Sequence, residues 1–150
     1  MGASTAALGY PETLQRMLDN SPAPGRWEVQ NYGVSGATVS RHGSQPYMST
    51  EDYHRALASG ADIFLVCFGL DDGGTAVWDE AAFIDGITRI VRELREHSPS
   101  KTRICLIIPP PLVRAGAGAA TRRRLTTLHG EALKKKMETL ALLLDATCLD

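Results

Sequence analysis

Two short segments of the sequence combine glycine with small polar side chains, and each follows an apolar run of strand length. Residues 31–38 read Asn-Tyr-Gly-Val-Ser-Gly-Ala-Thr, and residues 69–74 read Gly-Leu-Asp-Asp-Gly-Gly. Glycine lets backbone amides approach a ligand closely, and clustered amides bind negative charge. Either segment alone is more often a tight turn that needs a positive φ. Together they are the place where the sequence predicts chemistry.

These turns need a sheet to position them, and apolar runs supply its predicted strands. Residues 62–69 and 103–109 are near-continuous hydrophobic segments, and residues 27–33 form a weaker strand that ends in glycine. Continuous apolarity predicts strands covered on both faces, as in a parallel sheet between helices. A last strand is predicted to open at residues 142–145. Ligands bind beyond the carboxyl ends of such strands, which is where both turns lie.

Helices are predicted between these strands. The clearest begins at a capping Asp79, ends before Pro99, and carries one apolar stripe made of Phe83, Ile84, Ile87, Ile90, Val91 and Leu94. A shorter helix begins at Pro11 and is predicted to bury Leu14, Met17 and Leu18. Another spans about residues 50–59.

The last predicted helix follows three prolines at residues 109–111 and a glycine loop at residues 116–118. It is basic, and its apolar side consists of Leu125, Leu128, Leu133, Met137 and Leu140. Alternation of helices and strands predicts an α/β layer fold with right-handed crossovers.

The composition predicts one domain over residues 1–150. The formal net charge is −1, with 43% hydrophobic and 22% charged residues, which excludes disordered, collagen-like and strongly basic nucleic-acid-binding classes. The apolar runs are too short to span a bilayer, and we see no secretory signal. Three cysteines without metal-ligand spacing predict free thiols in a reducing compartment. We therefore expect an intracellular protein, cytoplasmic or organellar.

Three motifs follow one another along the chain. They are Gly2-Ala3-Ser4-Thr5 with Gly9-Tyr10-Pro11, then Asn31-x-Gly33-x-Ser35-Gly36-x-Thr38, then Gly69-Leu70-Asp71-Asp72. In order and spacing they resemble the first three sequence blocks of the SGNH (GDSL-type) hydrolases, and residues 107–111 resemble the end of that family's fourth strand. The resemblance runs from Gly2 to about Asp145. It implies a flavodoxin-like three-layer fold, with a parallel sheet flanked by helices, that hydrolyses esters or removes acyl groups.

The resemblance also implies roles for three residues. Ser4 is the candidate nucleophile, while Gly36 and position 71, occupied by Asp71, correspond to oxyanion-hole donors that act with the Ser4 amide. We expect no cofactor. We also expect no metal, because the adjacent carboxylates Asp71 and Asp72 without further ligands make a poor metal site.

The sequence departs from the family pattern at several places. Ala3 replaces an aspartate, and Asp71 replaces an asparagine, although an ionised carboxylate only accepts hydrogen bonds. The family's Asp-x-x-His block, which supplies the histidine base, is not found, and none of the four histidines occupies its place: His42, His54, His97 and His129. We predict that the first strand and the C-terminal helix are missing. We therefore expect either part of a longer chain or a domain whose sheet is completed by a protein partner.

These departures favour a catalytically inactive SGNH-like domain that acts as a structural or interaction subunit of a larger assembly. The alternative is a serine esterase that removes an acyl or acetyl group, with its base in missing sequence. A third hypothesis is a flavodoxin-like nucleotide binder that uses residues 69–74. Basic residues 122–124 and 134–136 predict a solvated face, with a phosphate site as the alternative, and we expect no nucleic-acid partner.

Overall fold

The computed structural model describes residues 1–2, 7, 9–22, 27–69, 71–72, 79–108 and 133–149. Ser4 and residues 109–132, which include the predicted proline run and glycine loop, lie outside these ranges. The helices are α1 (Tyr10–Asp19), α2 (Glu51–Leu57), α3 (Glu80–His97) and α4, described over 133–143, with a 3₁₀ turn at Tyr47–Ser49. The strands are β1 (Ile63–Val66), β2 (Arg103–Ile107) and β3 (Thr147–Leu149).

The strands form a parallel sheet in the order β1-β2-β3. Two isolated bridges extend it, because Gly2 pairs in parallel with both Gly33 and Cys67. Across the sheet the order is therefore Gly33, Gly2, β1, β2 and β3, which is 2-1-3-4-5 in chain order. This is the order of flavodoxin-like, doubly wound folds. The predicted α/β fold is confirmed.

Helix α3 forms as its sequence predicts. The Asp79 carboxylate accepts a hydrogen bond from the Ala82 amide at 2.9 Å, which caps the first turn. The side chains of Phe83, Ile87, Ile90 and Leu94 are buried along one stripe. They share a core with the strand residues Phe64, Val66, Ile104 and Leu106.

Burial alternates along the two central strands, in contrast to the prediction that both faces are covered. Phe64 and Val66 of β1 are buried, whereas Ile63 is exposed and Leu65 is only half-buried. Ile63 and Leu65 line a cavity that also contacts α1, so this face of β1 is incompletely packed. The apolar run at residues 62–69 therefore has one buried face and a second face that is partly open to this cavity.

Three other predictions need correction. Residues 27–32 carry no strand, and only Gly33 of that segment pairs with the sheet. Met17, which was predicted to be buried, is 66% exposed, because only part of the apolar side of α1 packs against the rest of the protein. The last strand begins at Thr147 and not at residues 142–145, since α4 continues to residue 143. A short leucine run fits helix and strand equally well, and here the helix prevails.

Candidate functional site

Gly36 lies in a tight turn at the carboxyl side of Gly33. The Ala37 amide donates to the Val34 carbonyl at 3.2 Å, and the φ of Gly36 is +76°. A type II turn requires such a positive φ at its third residue, which favours glycine. A Cβ at this position would lie 3.5 Å from Gln45 Oε1, an ordinary contact distance. Backbone conformation and not lack of space therefore selects glycine here.

The loop after this turn is closed by backbone hydrogen bonds. The Thr38 amide donates to the Gln45 carbonyl at 3.0 Å, and the Tyr47 amide donates to the Thr38 carbonyl at 2.8 Å. The Tyr47 hydroxyl donates to the Tyr32 carbonyl at 2.6 Å, and its ring is buried against Phe68. These contacts hold residues 32–47 as one folded unit above the end of β1.

The Asp72 carboxylate joins the two glycine-rich turns. Asp72 is 6% exposed, and its Oδ1 accepts hydrogen bonds from the Val39 amide at 2.9 Å and the Ser40 amide at 3.3 Å. Burial raises the pKa of Asp72, the two amide bonds oppose that rise, and the neighbouring Asp71 charge adds to it. Asp71 itself is half-buried in the turn that follows β1. We call this link between Asp72, Val39 and Ser40 the carboxylate clamp.

Helix α3 supports the carboxylate clamp from the side of Val39. A Cβ placed on Gly86 would lie 2.5 Å from the Val39 carbonyl oxygen and 2.9 Å from its carbonyl carbon. No side chain fits at that distance, so glycine allows the helix to approach the loop backbone. The contact connects the core of the fold to the candidate site.

The predicted site residues have different outcomes. Gly36 and Asp71 lie in turns that follow the two sheet positions on either side of Gly2, and the carboxylate clamp ties those turns together. Ser4 lies outside the described residues, two positions after Gly2, which pairs between Gly33 and Cys67. Their proposed catalytic roles stay predictions.

The histidines and the acids are the remaining candidates for catalytic or metal-binding groups. His42, His54 and His97 are exposed, and His129 lies outside the described residues. Within the described ranges, no group of three or more histidine, cysteine, aspartate or glutamate side chains could hold a metal ion. None of the helices found there is long and apolar enough to cross a membrane.

Sequence reasoning missed the structural roles of Asp72 and Gly86. The motif at residues 69–72 and the weak metal-site alternative assign Asp72 no structural role, although an acid after an apolar strand is well placed to bind loop amides. Gly86 interrupts the apolar stripe of α3, and a glycine inside a helix signals close approach by another segment. That signal could have predicted the contact, but not its partner Val39.

Comparison with known proteins identifies the family. The sequence model of the GDSL-like lipase/acylhydrolase family matches residues 1–150, the whole chain. The chain belongs to this family. An acetylxylan esterase from Xylanibacter ruminicola is 32% identical over 91 residues, which cover 60% of this chain and 18% of the esterase. No solved structure gave a significant match.

The family match confirms the resemblance inferred from the three motifs and agrees with the observed flavodoxin-like strand order. The aligned part spans less than a fifth of the esterase's length. This similarity alone therefore does not assign the esterase's activity to the chain.

Proposed function

We propose that this GDSL-family domain does not turn over esters on its own and serves as a structural or interaction unit of a larger assembly. One observation carries the proposal: two carboxylates, Asp71 and Asp72, lie in the turn that begins a few residues after β1 ends at Val66. Asp72 is buried and already bound to loop amides. Asp71 stands where the family resemblance implies an asparagine that donates to the oxyanion.

The chemistry of the carboxylate opposes hydrolysis at this position. An ionised carboxylate has no proton to donate, so it cannot stabilise the negative oxygen of a tetrahedral intermediate. Loss of one oxyanion donor lowers turnover by about 10²–10³ in a studied protease. The carboxylate would also repel the negative oxygen of the intermediate. Two like charges about 4 Å apart near a protein surface repel by roughly 4 kcal/mol, which would lower the rate by about a further 10³.

A second candidate function is a serine esterase acting on acyl or acetyl groups. The similarity to an acetylxylan esterase favours it. In this case the Ser4 hydroxyl attacks the ester carbonyl, and the amides of Gly36 and Ser4 hold the oxyanion. The base that takes the serine proton is then supplied by sequence beyond these 150 residues.

Hydrolysis of p-nitrophenyl acetate by the folded wild-type protein and by its Ser4→Ala variant, each produced together with any natural sequence that flanks residues 1–150, separates the two candidates. The inactive domain gives the same slow background rate in both proteins, because Ser4 is not an activated nucleophile. A wild-type rate 10²-fold or more above that of Ser4→Ala would support the esterase and contradict the proposal.

A further inference from the structure

The side chain of Gln45 lies beside Gly36 at the candidate site. Its Oε1 atom is 3.5 Å from the point that a Cβ on Gly36 would occupy, which is ordinary van der Waals contact. Gln45 is exposed, and among the described residues none forms a hydrogen bond with its side-chain amide. A polar group that solvent can reach therefore borders Gly36.

The backbone of Gln45 is fixed although its side chain is exposed. The Gln45 carbonyl accepts a hydrogen bond from the Thr38 amide at 3.0 Å. The Tyr47 amide donates to the Thr38 carbonyl at 2.8 Å, so Thr38 and Pro46 form a parallel bridge. Thr38 is 2% exposed, which places this bridge in the interior. The loop therefore holds the start of the Gln45 side chain next to the Gly36 turn.

The chemistry of the Gln45 side chain differs from that of Asp71. The carboxylate clamp ties the Gln45 loop to the turn that carries Asp71. Position 71 is where the family resemblance implies a side-chain donor, and an ionised carboxylate has no proton to donate. A glutamine amide has two N–H donors, and rotation about its last side-chain bond exchanges the nitrogen and the oxygen. Gln45 thus brings to Gly36 the kind of group that position 71 lacks.

We propose that Gln45 is a ligand-binding residue of this site, and that its side-chain amide donates a hydrogen bond to the carbonyl oxygen of an acyl ester bound beside Gly36. The proposal rests on the resemblance that places Gly36 next to an ester carbonyl. It goes beyond the proposed function, since a hydrogen bond to a neutral carbonyl needs no activated serine. It applies equally to a domain that binds esters without turnover and to one that hydrolyses them.

The expected contribution of Gln45 is that of one hydrogen bond between neutral groups. Such a bond changes affinity by roughly 2- to 10-fold. The effect belongs to the carbonyl alone, so a ligand of the same shape without a carbonyl should not respond to Gln45. This difference between two ligands is what an experiment can measure.

Phenyl acetate and phenyl ethyl ether form a suitable pair, because the ether has a methylene where the ester has its carbonyl. Every protein carries Ser4→Ala, so that the ester is not consumed, and is produced together with any natural sequence that flanks residues 1–150. NMR titration of the ¹⁵N-labelled protein follows the Gly36 backbone amide and the Gln45 side-chain amide, and gives the Kd of each ligand.

Two substitutions at Gln45 and one control complete the test. Gln45→Met keeps the length of the side chain without the amide, Gln45→Glu leaves acceptors only, and Ser44→Ala changes the exposed neighbour in the same loop. We expect phenyl acetate to bind about 5-fold more tightly than the ether when Gln45 is present, Ser44→Ala included. The preference should disappear in both Gln45 variants. Their Tm should change by no more than about 2 °C, since the backbone of Gln45 makes its contacts with the fold.

Three results would overturn the proposal. The first is no preference for the ester when Gln45 is present, which includes failure of both ligands to bind. The second is a preference that persists in Gln45→Met. The third is a preference accompanied by shifts away from Gly36 and Gln45, which would place the carbonyl elsewhere. Ester hydrolysis by the protein with Ser4 intact would contradict the proposed function and leave this inference standing, so the two can fail separately.

Discussion

The contact between Gly86 and Val39 determines how α3 holds the candidate site, and Gly86→Ala tests it. The added Cβ would lie 2.5 Å from the Val39 carbonyl oxygen, a backbone atom that cannot move aside like the end of a flexible side chain. Val39 cannot shift freely, because its amide is bonded to buried Asp72. Overpacking of this kind costs about 1–3 kcal/mol, against a gain of up to about 1 kcal/mol in helix propensity. We expect a net loss of about 1–2 kcal/mol, or roughly 3–8 °C in Tm.

Urea unfolding at 25 °C measures the effect. Asp85→Ala is the matched control, because Asp85 is the exposed neighbour of Gly86 in the same helix. The control should change the free energy of unfolding by no more than about 0.5 kcal/mol. A Gly86→Ala protein as stable as wild type would refute the reasoning, since the helix would then not touch the Val39 backbone.

Four further substitutions or modifications give measurable outcomes. Gly36→Ala should lose about 1–2 kcal/mol in urea unfolding, because an alanine at φ +76° is strained. Asp72→Ala should lose about 2 kcal/mol or more by leaving two amides without an acceptor. Because burial raises the pKa of Asp72, the folded protein binds more protons than the unfolded chain between pH 3.8 and the raised pKa. The free energy of unfolding of wild type, relative to that of Asp72→Asn, should therefore be greatest below pH 3.8 and fall as the pH rises through the raised pKa. The lowered pKa of the Met1 amino group means that the unfolded chain binds more protons between pH 6 and 8, so stability relative to an N-acetylated chain should rise by about 2–3 kcal/mol across that range.

The elements that sequence analysis predicted well are those with long, unambiguous apolar patterns. The stripe of α3 and the continuous runs of β1 and β2 identify one helix and two strands without tertiary information. The segment 27–33 is different, because its strand character depends on a neighbouring strand, and among the described residues Gly2 is the one that pairs with it. No local pattern can predict whether that neighbour exists.

The candidate site divides in the same way. The turn at Gly36 was predictable, since glycine between small polar residues is typical of a positive φ. The carboxylate clamp was not, because Asp72 meets Val39 only after the chain has crossed from one strand position to another. Local sequence identifies turns, but long-range hydrogen bonds decide which turns lie together.

The central claim is that Ser4 is not an activated nucleophile in this domain. Fluorophosphonate labelling of the folded chain, with the modified peptide located by mass spectrometry and Ser4→Ala as control, tests this claim most directly. A sharp urea transition first establishes that the material is folded. The account predicts no labelling at Ser4 above the control within hours. Rapid, stoichiometric labelling at Ser4 would contradict it and establish an active serine esterase.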